Sequence, residues 1–248
     1  MKFRSKNLLV SGGAGFIGSN FIEYLLDKYE EIKIYNIDLL TYAGDLRNTI
    51  KFSEDSRYKF IKGDICDRKL LDEIFLKYKI DGVINFAAET HVDNSIKNPS
   101  VFVKTNIEGV FALLNTCYKY WMKSPQSTYD EFANSRFHQV STDEVFGSIK
   151  KGKFKENSPY LPNSPYSASK ASADMLVRSF NKTYFLNTTI SISSNNFGIN
   201  QNSEKFIPKL INCIINDLYM PIYGTGNNFR DWLFVKDNCT AIDLIFNK

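Results

Sequence analysis

The stretch from Asn7 to Glu30, "NLLVSGGAGFIGSNFIEYLLDKYE", decides the fold. It opens with a short apolar run of the kind that fills a buried strand. Residues 16–30 then carry Phe21, Ile22, Leu25, Leu26 and Tyr29 at helical spacing. Between the two, Gly12, Gly13, Gly15 and Gly18 leave bare backbone in a strand-to-helix turn. Backbone N–H groups at such a turn, with the helix N-terminus behind them, can hold a pyrophosphate; Gly12, Gly15, Phe16, Ile17 and Gly18 are the expected contacts. A tight turn without a ligand uses glycines too, so context has to decide. Asp38 supplies it, ending the next predicted strand twenty residues beyond Gly18. Its carboxylate can accept from both ribose hydroxyls of an adenosine and repels a 2′-phosphate, which favours NAD over NADP.

The same alternation continues outward. "IKIYNID" (32–38), "YKFIKGD" (58–64), "GVINFAA" (82–88), "FHQVST" (137–142) and "TTISISS" (188–194) predict further strands, with helices near 68–79, 99–121 and 167–186. Strand and helix in strict succession imply an α/β protein with a doubly wound parallel sheet of the Rossmann type. From about residue 195 the pattern loosens into Asn-rich loops, a helix near 204–218, and "PIYGTGNNFRDWLFV" (221–235). Residues 1–194 are therefore assigned to the dinucleotide-binding domain that carries the chemistry. Residues 195–248 are assigned to part of a smaller substrate lobe interleaved with it. At the end of the third strand, in "GDICD" (63–67), Asp64 and Ile65 either flank an adenine or serve a helix cap.

Composition narrows the function classes. With 43% hydrophobic and 23% charged residues the chain is that of a soluble globular protein. The net charge of +4 comes from lysines spread along the chain without a basic block, which gives little support to nucleic-acid binding. No run approaches a membrane span, and the apolar run at the N-terminus is too short for a signal peptide. Cys66, Cys117, Cys213 and Cys239 are far apart, so neither a metal site nor a redox pair is expected, and reduced thiols in the cytoplasm are.

Two further motifs carry chemistry. In "YSASK" Tyr166 and Lys170 stand at i and i+4, on one face of a helix. An ammonium near the phenol is expected to lower its pKa, letting Tyr166 take a proton from a substrate hydroxyl while hydride leaves the same carbon. In "STDEVFG" (141–147) Thr142, Asp143 and Glu144 sit at the C-terminal end of a predicted strand, the edge where open α/β sheets bind ligands. The Thr142 hydroxyl can bond the hydroxyl being oxidised. Two adjacent carboxylates in a cleft can split their pKa values, one staying protonated as an acid and the other ionised as a base. That pair suits loss of water next to a carbonyl; a capping acid at the strand end is the plainer alternative.

Taken together, "GGAGFIGSNF", "DLLTYAGDLRN", "GDICD", "FAAETHVDNSI", "STDEVFG", "SPYSASKA", "SNNFG", "EKFIPK" and "PIYGTGNNFRDW" closely resemble the nucleotide-sugar 4,6-dehydratases of the extended short-chain dehydrogenase/reductase superfamily. The branch acting on dTDP-glucose is the most similar. The resemblance implies an NAD-dependent lyase in which Tyr166 is the base at the sugar 4-hydroxyl, tuned by Lys170 and assisted by Thr142. Asp143 is then the acid at the 6-hydroxyl and Glu144 the base at C5. It also places Thr41, Asp64, Ile65 and Ala87 at the cofactor, Thr90 and Asn196 near the sugar, and Glu204, Lys205 and Arg230 at the nucleotide diphosphate. His91 is expected to be structural. A homodimer pairing the helices near 99–121 and 167–186, and a place in dTDP-rhamnose synthesis, are further implications. Ile199, Asn200 and Asn202-Ser203 depart from the family's loop, and "GTG" (224–226) stands for its usual "GDG". Family members continue beyond the equivalent of Lys248, so the substrate lobe is expected to be incomplete here. A dehydratase for another nucleotide sugar, such as UDP-glucose, and an inactive dinucleotide-binding homologue are the alternatives.

Overall fold

A computed structural model of the chain describes residues 3–222 and 226–248, so Gly224 and Thr225 of the "GTG" stretch lie outside the described residues. The chain runs β1 (Asn7–Ser11), α1 (Phe16–Lys28), β2 (Lys33–Asp38), β3 (Tyr58–Lys62), α2 (Arg68–Tyr78) and β4 (Gly82–Asn85). Two short helices follow, α3 (Val92–Lys97) and α4 (Pro99–Phe102), then a π-helical stretch over Val103–Gly109 that runs on into α5 (Val110–Trp121). A small hairpin, β5 (Met122–Ser124) and β6 (Ser127–Thr128), precedes β7 (Arg136–Thr142), α6 (Pro165–Tyr184) and β8 (Thr188–Ser193). The last elements are β9 (Asn195–Phe197), α7 (Phe206–Ile215), β10 (Trp232–Phe234) and α8 (Val235–Asn247).

Six strands form one sheet in the order β3-β2-β1-β4-β7-β8, every neighbouring pair parallel. The expected doubly wound sheet is thus present. Its strand order reverses between β1 and β4, and ligands of such sheets bind outside the carboxyl ends of the strands at that point. A parallel strand is covered on both faces, which is why β4 is buried along its whole length. On one face α2, α5 and α6 bury Leu71, Phe75, Leu113, Trp121 and Val177; on the other α1 and α8 bury Phe21, Leu25, Ile242 and Phe246. The site therefore rests on a close-packed support from both sides.

Some elements differ from expectation. The predicted helix over 99–121 is divided, with a π-helical stretch in its middle. That wider turn carries Asn106, which is buried; its amide accepts from the Glu89 N–H at 2.9 Å and donates to the Glu89 carbonyl at 3.0 Å and to Ser169 Oγ at 2.8 Å. Side-chain bonding of this kind is a recognised reason for a bulge near a site. The parallel pair β9–β10, with Asn196 opposite Leu233, was not expected either. It brings the Arg230 region beside Asn196, far apart in sequence.

Candidate active site

At the C-terminal edge of the sheet lies a cavity of about 1400 Å³. Its floor is the glycine turn. Gly12 has φ +75, and a methyl there would sit 2.6 Å from the backbone N of Ala87; one at Gly18 would collide with the Gly12 carbonyl. Glycine is required at both by conformation or close approach. Gly15 stands at the N-cap of α1 with no side chain capping it, so the first N–H groups of the helix, at Phe16 and Ile17, face the cavity that these residues line. Uncapped helix N–H groups behind a crowded glycine cradle fit a pyrophosphate.

Asp38 ends β2 and lines the same cavity. Its Oδ2 accepts from Ala14 N at 2.9 Å and its Oδ1 from Leu40 N at 2.8 Å. Burial pushes the carboxyl up, and these two backbone bonds act against it. Each oxygen keeps a lone pair for a ribose hydroxyl. Thr41, Ala87, Asp64 and Ile65 line the cavity as well. The cap of α2 is Asp67, which accepts from Lys69 N and Leu70 N, so Asp64 is not spent on it. The residues present fit NAD, and Gly12, Gly15, Phe16, Ile17, Gly18 and Asp38 would hold it.

Across the floor stand the reacting groups. Thr142 is the last residue of β7, and Asp143 to Phe146 form a 3₁₀ turn. The two acids therefore lie just past the strand, not on its opposite faces. Neither is the cap; Thr142 is, its Oγ1 accepting from Glu144 N at 3.3 Å. Burial pushes both acids up. Thr142 and Arg230 draw Asp143 back; the charge of Asp143 raises Glu144 further, and Arg230 and Lys205 oppose it. One protonated and one ionised member is the state such a pair favours.

Tyr166 and Lys170 share a face of α6, as their spacing implies, and both are buried. The expected tuning is not what the geometry gives. Lys170 Nζ donates to the Val140 carbonyl at 2.7 Å. The phenol is pushed up by burial and then by the charge of Glu144, and the largest influence that lowers it is the Thr142 hydroxyl. Burial pushes Lys170 down, with Asp174 acting the other way.

The remaining wall comes from residues after 195. Asn196, Glu204, Lys205 and Arg230 all line the cavity. Glu204 lies 3.4 Å from Lys205 Nζ and 3.5 Å from His91 Nε2. His91 also caps α3, its Nδ1 accepting from Asn94 N, which is a structural use. Arg230 is exposed and donates to the Phe229 carbonyl, while its charge reaches Asp143 and Glu144. The divergent loop is tied to α1: Asn20 Nδ2 donates to the Ile199 carbonyl and Asn200 Nδ2 to Ser19 Oγ. Asn200 has φ +70, a conformation asparagine tolerates better than most residues.

The family model described as GDP-mannose 4,6 dehydratase matches residues 9–248. The chain belongs to this family. A dTDP-glucose 4,6-dehydratase of Neisseria gonorrhoeae is 44% identical over 96% of this chain and 68% of its own length. The low-salt glycan biosynthesis protein Agl12 of Haloferax volcanii is 44% identical over 98% of this chain and 73% of its own. Among solved structures, dTDP-glucose 4,6-dehydratase from Streptomyces venezuelae with NAD and TYD bound gives a TM-score of 0.88 at 39% identity. It matches over 98% of this chain and 72% of that one. The Bacillus anthracis enzyme in complex with NAD gives 0.86 at 44%, over 98% and 72%.

Three lining residues escaped the sequence reading. Tyr42 bonds Thr90 through its hydroxyl, 2.9 Å from Oγ1, and its position in "TYAG" just after Asp38 was the available signal. Glu89 precedes Thr90, with its backbone clamped by Asn106, and burial pushes its carboxyl up. Gln201 and Asn196 each keep a buried amide oxygen with no partner, a demand that ligand hydroxyls or water can meet.

Proposed function

We propose that this chain catalyses the dehydration of dTDP-glucose to dTDP-4-keto-6-deoxyglucose with NAD as resident cofactor. The observation that carries this reading is that Thr142, Glu144 and Tyr166 line one cavity with the glycine turn, with Asp143 between the first two at the start of the 3₁₀ turn. NAD, when bound, supplies a hydride acceptor for C4 and returns the hydride to C6, so it is not consumed. Tyr166, as phenolate, takes the proton of the 4-hydroxyl, with Thr142 bonding the same region. Asp143, whose carboxyl burial pushes up, delivers a proton to the departing 6-hydroxyl. Glu144 takes the C5 proton, which is acidic once C4 is a carbonyl. Positively charged Arg230 and Lys205, with Glu204, belong to the wall that receives the diphosphate, whose oxygens an Arg fork matches.

A homodimer through the helices near 99–121 and 167–186 belongs to the same reading; Val103 and Met175, exposed there, support it. So does a cytoplasmic enzyme supplying dTDP-rhamnose synthesis, on the strength of the resemblance. The test is incubation of the purified chain with dTDP-glucose and, separately, UDP-glucose, followed by assay for a 4-keto-6-deoxy sugar. Product from dTDP-glucose is expected. No product from either sugar, with NAD bound, overturns the reading.

A further inference from the structure

The chemistry above leaves one buried acid unused. Asp174 stands on α6 four residues past Lys170 and eight past Tyr166, so the three side chains follow one face over two turns. Asp174 is 2% exposed and, unlike those two, does not line the cavity. Its Oδ2 accepts from Ser141 Oγ at 2.5 Å and from the Tyr160 hydroxyl at 3.2 Å. Its Oδ1 has no hydrogen-bond partner among the described residues. Burying a carboxylate with an unmet oxygen is costly, and an apolar side chain of similar volume is often no less stable in such a place. Stability therefore does not account for an acid here.

Its two donors lead to the two ends of the reacting segment. Ser141 immediately precedes Thr142 on β7. Tyr160 meets Phe146 edge-on, ring centres 5.4 Å apart, and the neighbouring Leu161 N–H donates to the Val145 carbonyl at 2.9 Å. Val145 and Phe146 complete the 3₁₀ turn that starts with Asp143 and Glu144. Resting on the dehydratase reading above, we propose that Asp174 is a positioning residue. Through Ser141 it sets the helix of Tyr166 against Thr142, and through Tyr160 it sets that helix against the acid turn.

Bond direction and packing both suit that task. An ionised carboxylate only accepts, so both hydroxyls have to point at it. Burial pushes Asp174 up, while the Lys170 charge, then the Ser141 and Tyr160 hydrogen bonds, favour the ionised form. Lys170 adds a parallel tie of α6 to β7 through the Val140 carbonyl. Val145, Phe146 and Ala171 form a small apolar cluster of their own, with Phe154 and Tyr160 packed against it. The turn bearing the acids thus rests on α6 apart from the two large cores, with Tyr160 as its polar anchor. A displacement of about 1 Å between reacting groups can cost about 100-fold in rate. The ties serve different steps: Tyr166 and Thr142 act as the 4-hydroxyl is oxidised, Asp143 and Glu144 afterwards as water leaves.

Single-turnover mixing of the NAD-loaded chain with dTDP-glucose separates the steps, because NADH absorbance rises as C4 is oxidised and fades as hydride returns. Ser141→Ala should slow the rise by roughly 10-fold. Tyr160→Phe should leave the rise alone and slow the fading by roughly the same factor, so that NADH builds up. Asp174→Ala should slow both, and Asp174→Asn, which keeps an acceptor oxygen, should recover most of each rate. These are rate constants of folded protein, so a loss of stability alone lowers only the amplitudes. Wild-type rates in both hydroxyl variants overturn the proposal, whether or not Asp174→Ala folds. So do both variants slowing the same step, or Asp174→Asn being as slow as Asp174→Ala, since charge is then what the acid supplies. Urea unfolding reads the same ties without turnover. Ser141→Ala and Asp174→Ala combined should miss the product of their separate effects on the folding constant by roughly fivefold, and independent effects overturn the proposal. If that coupling is found and the wild-type chain makes no 4-keto-6-deoxy sugar, the dehydratase reading has failed instead.

Discussion

The wall of the cavity built before residue 195 holds its polar side chains with the chain's own hydrogen bonds, whereas the wall built from 195–248 leaves several unmatched. In the first, Asp38 is fixed by two backbone N–H groups, Lys170 by the Val140 carbonyl, and Thr90 by Tyr42. In the second, Arg230 bonds the carbonyl of its own neighbour, and Asn196 and Gln201 keep buried oxygens without partners. Apolar groups divide within the later segment itself. Helix α7 buries Cys213 while Ile214 and Ile215 are 70% and 75% exposed; in α8, Val235, Cys239, Ile242 and Phe246 are buried completely. The reacting side is thus preorganised, which is where electrostatic catalysis is needed. The other side has its groups in place but is completed by whatever it receives.

The largest expected effect lies on the preorganised wall. Glu144→Gln should lower dehydration by roughly 10²–10⁴-fold, the usual worth of a general base. Hydride transfer to bound NAD should remain visible in the cofactor's absorbance, and an unchanged rate of dehydration would remove Glu144 from the role of base at C5. The same variant should be more heat-stable at pH 7. A carboxyl whose folded pKa lies above its unfolded one weakens the fold once pH exceeds both values, and Gln has no such charge. A rise of roughly 2 °C in the melting midpoint is the expected scale.

Packing gives the next contrast. Phe246→Ala, emptying a wholly buried site against Phe3, should cost about 3–5 kcal/mol in urea denaturation. Ile215→Ala on the exposed face of α7 should stay within about 0.5 kcal/mol. Equal losses at the two positions would mean that α7 is packed as tightly as α8.

How much of this was legible in the sequence follows from what each feature depends on. Strand-to-helix succession and the glycines of the first turn are local, so the sheet and the cofactor floor could be read directly. The i, i+4 spacing placed Tyr166 and Lys170 on one face, but the destination of the ammonium, the Val140 carbonyl, depends on how α6 lies on β7. Asn106 and the π-helical stretch are a tertiary matter too, since its amide answers to Glu89 and Ser169. The β9–β10 pair is three residues a side with no alternation in "NNF", below what periodicity can detect. Tyr42 and Gln201 sit in loops whose composition signals a turn and not what faces a ligand.

A smaller effect probes the second wall. Arg230→Ala should raise KM by roughly 10–100-fold, the worth of a charge-assisted bond to an anion, with kcat changed much less. A fall in kcat with KM unchanged would place the guanidinium at the acid pair during the chemistry, consistent with its reach to Asp143 and Glu144, and would make this wall part of the preorganised set.

The chain's two histidines bring the contrast down to single side chains. His138 is in the sheet, wholly buried, its ring nitrogens 2.8 Å from Thr189 Oγ1 and 3.0 Å from Ser191 Oγ. His91 lies outside the sheet, its Nε2 3.5 Å from Glu204. Burial, with a smaller contribution from the Arg136 charge, pulls His138 down from 6.5 to about 3. The folded protein therefore binds fewer protons than the unfolded chain between those values. The stability associated with neutral His138 is whole above pH 6.5 and is lost as pH falls toward 3. From pH 7 to 5.5 that group alone should weaken the fold by about 1 kcal/mol. His138→Gln, which can still bond Thr189 and Ser191, should flatten that part of the pH–stability curve. A slope unchanged in His138→Gln would mean that the buried ring between β7 and β8 does not carry the pH dependence.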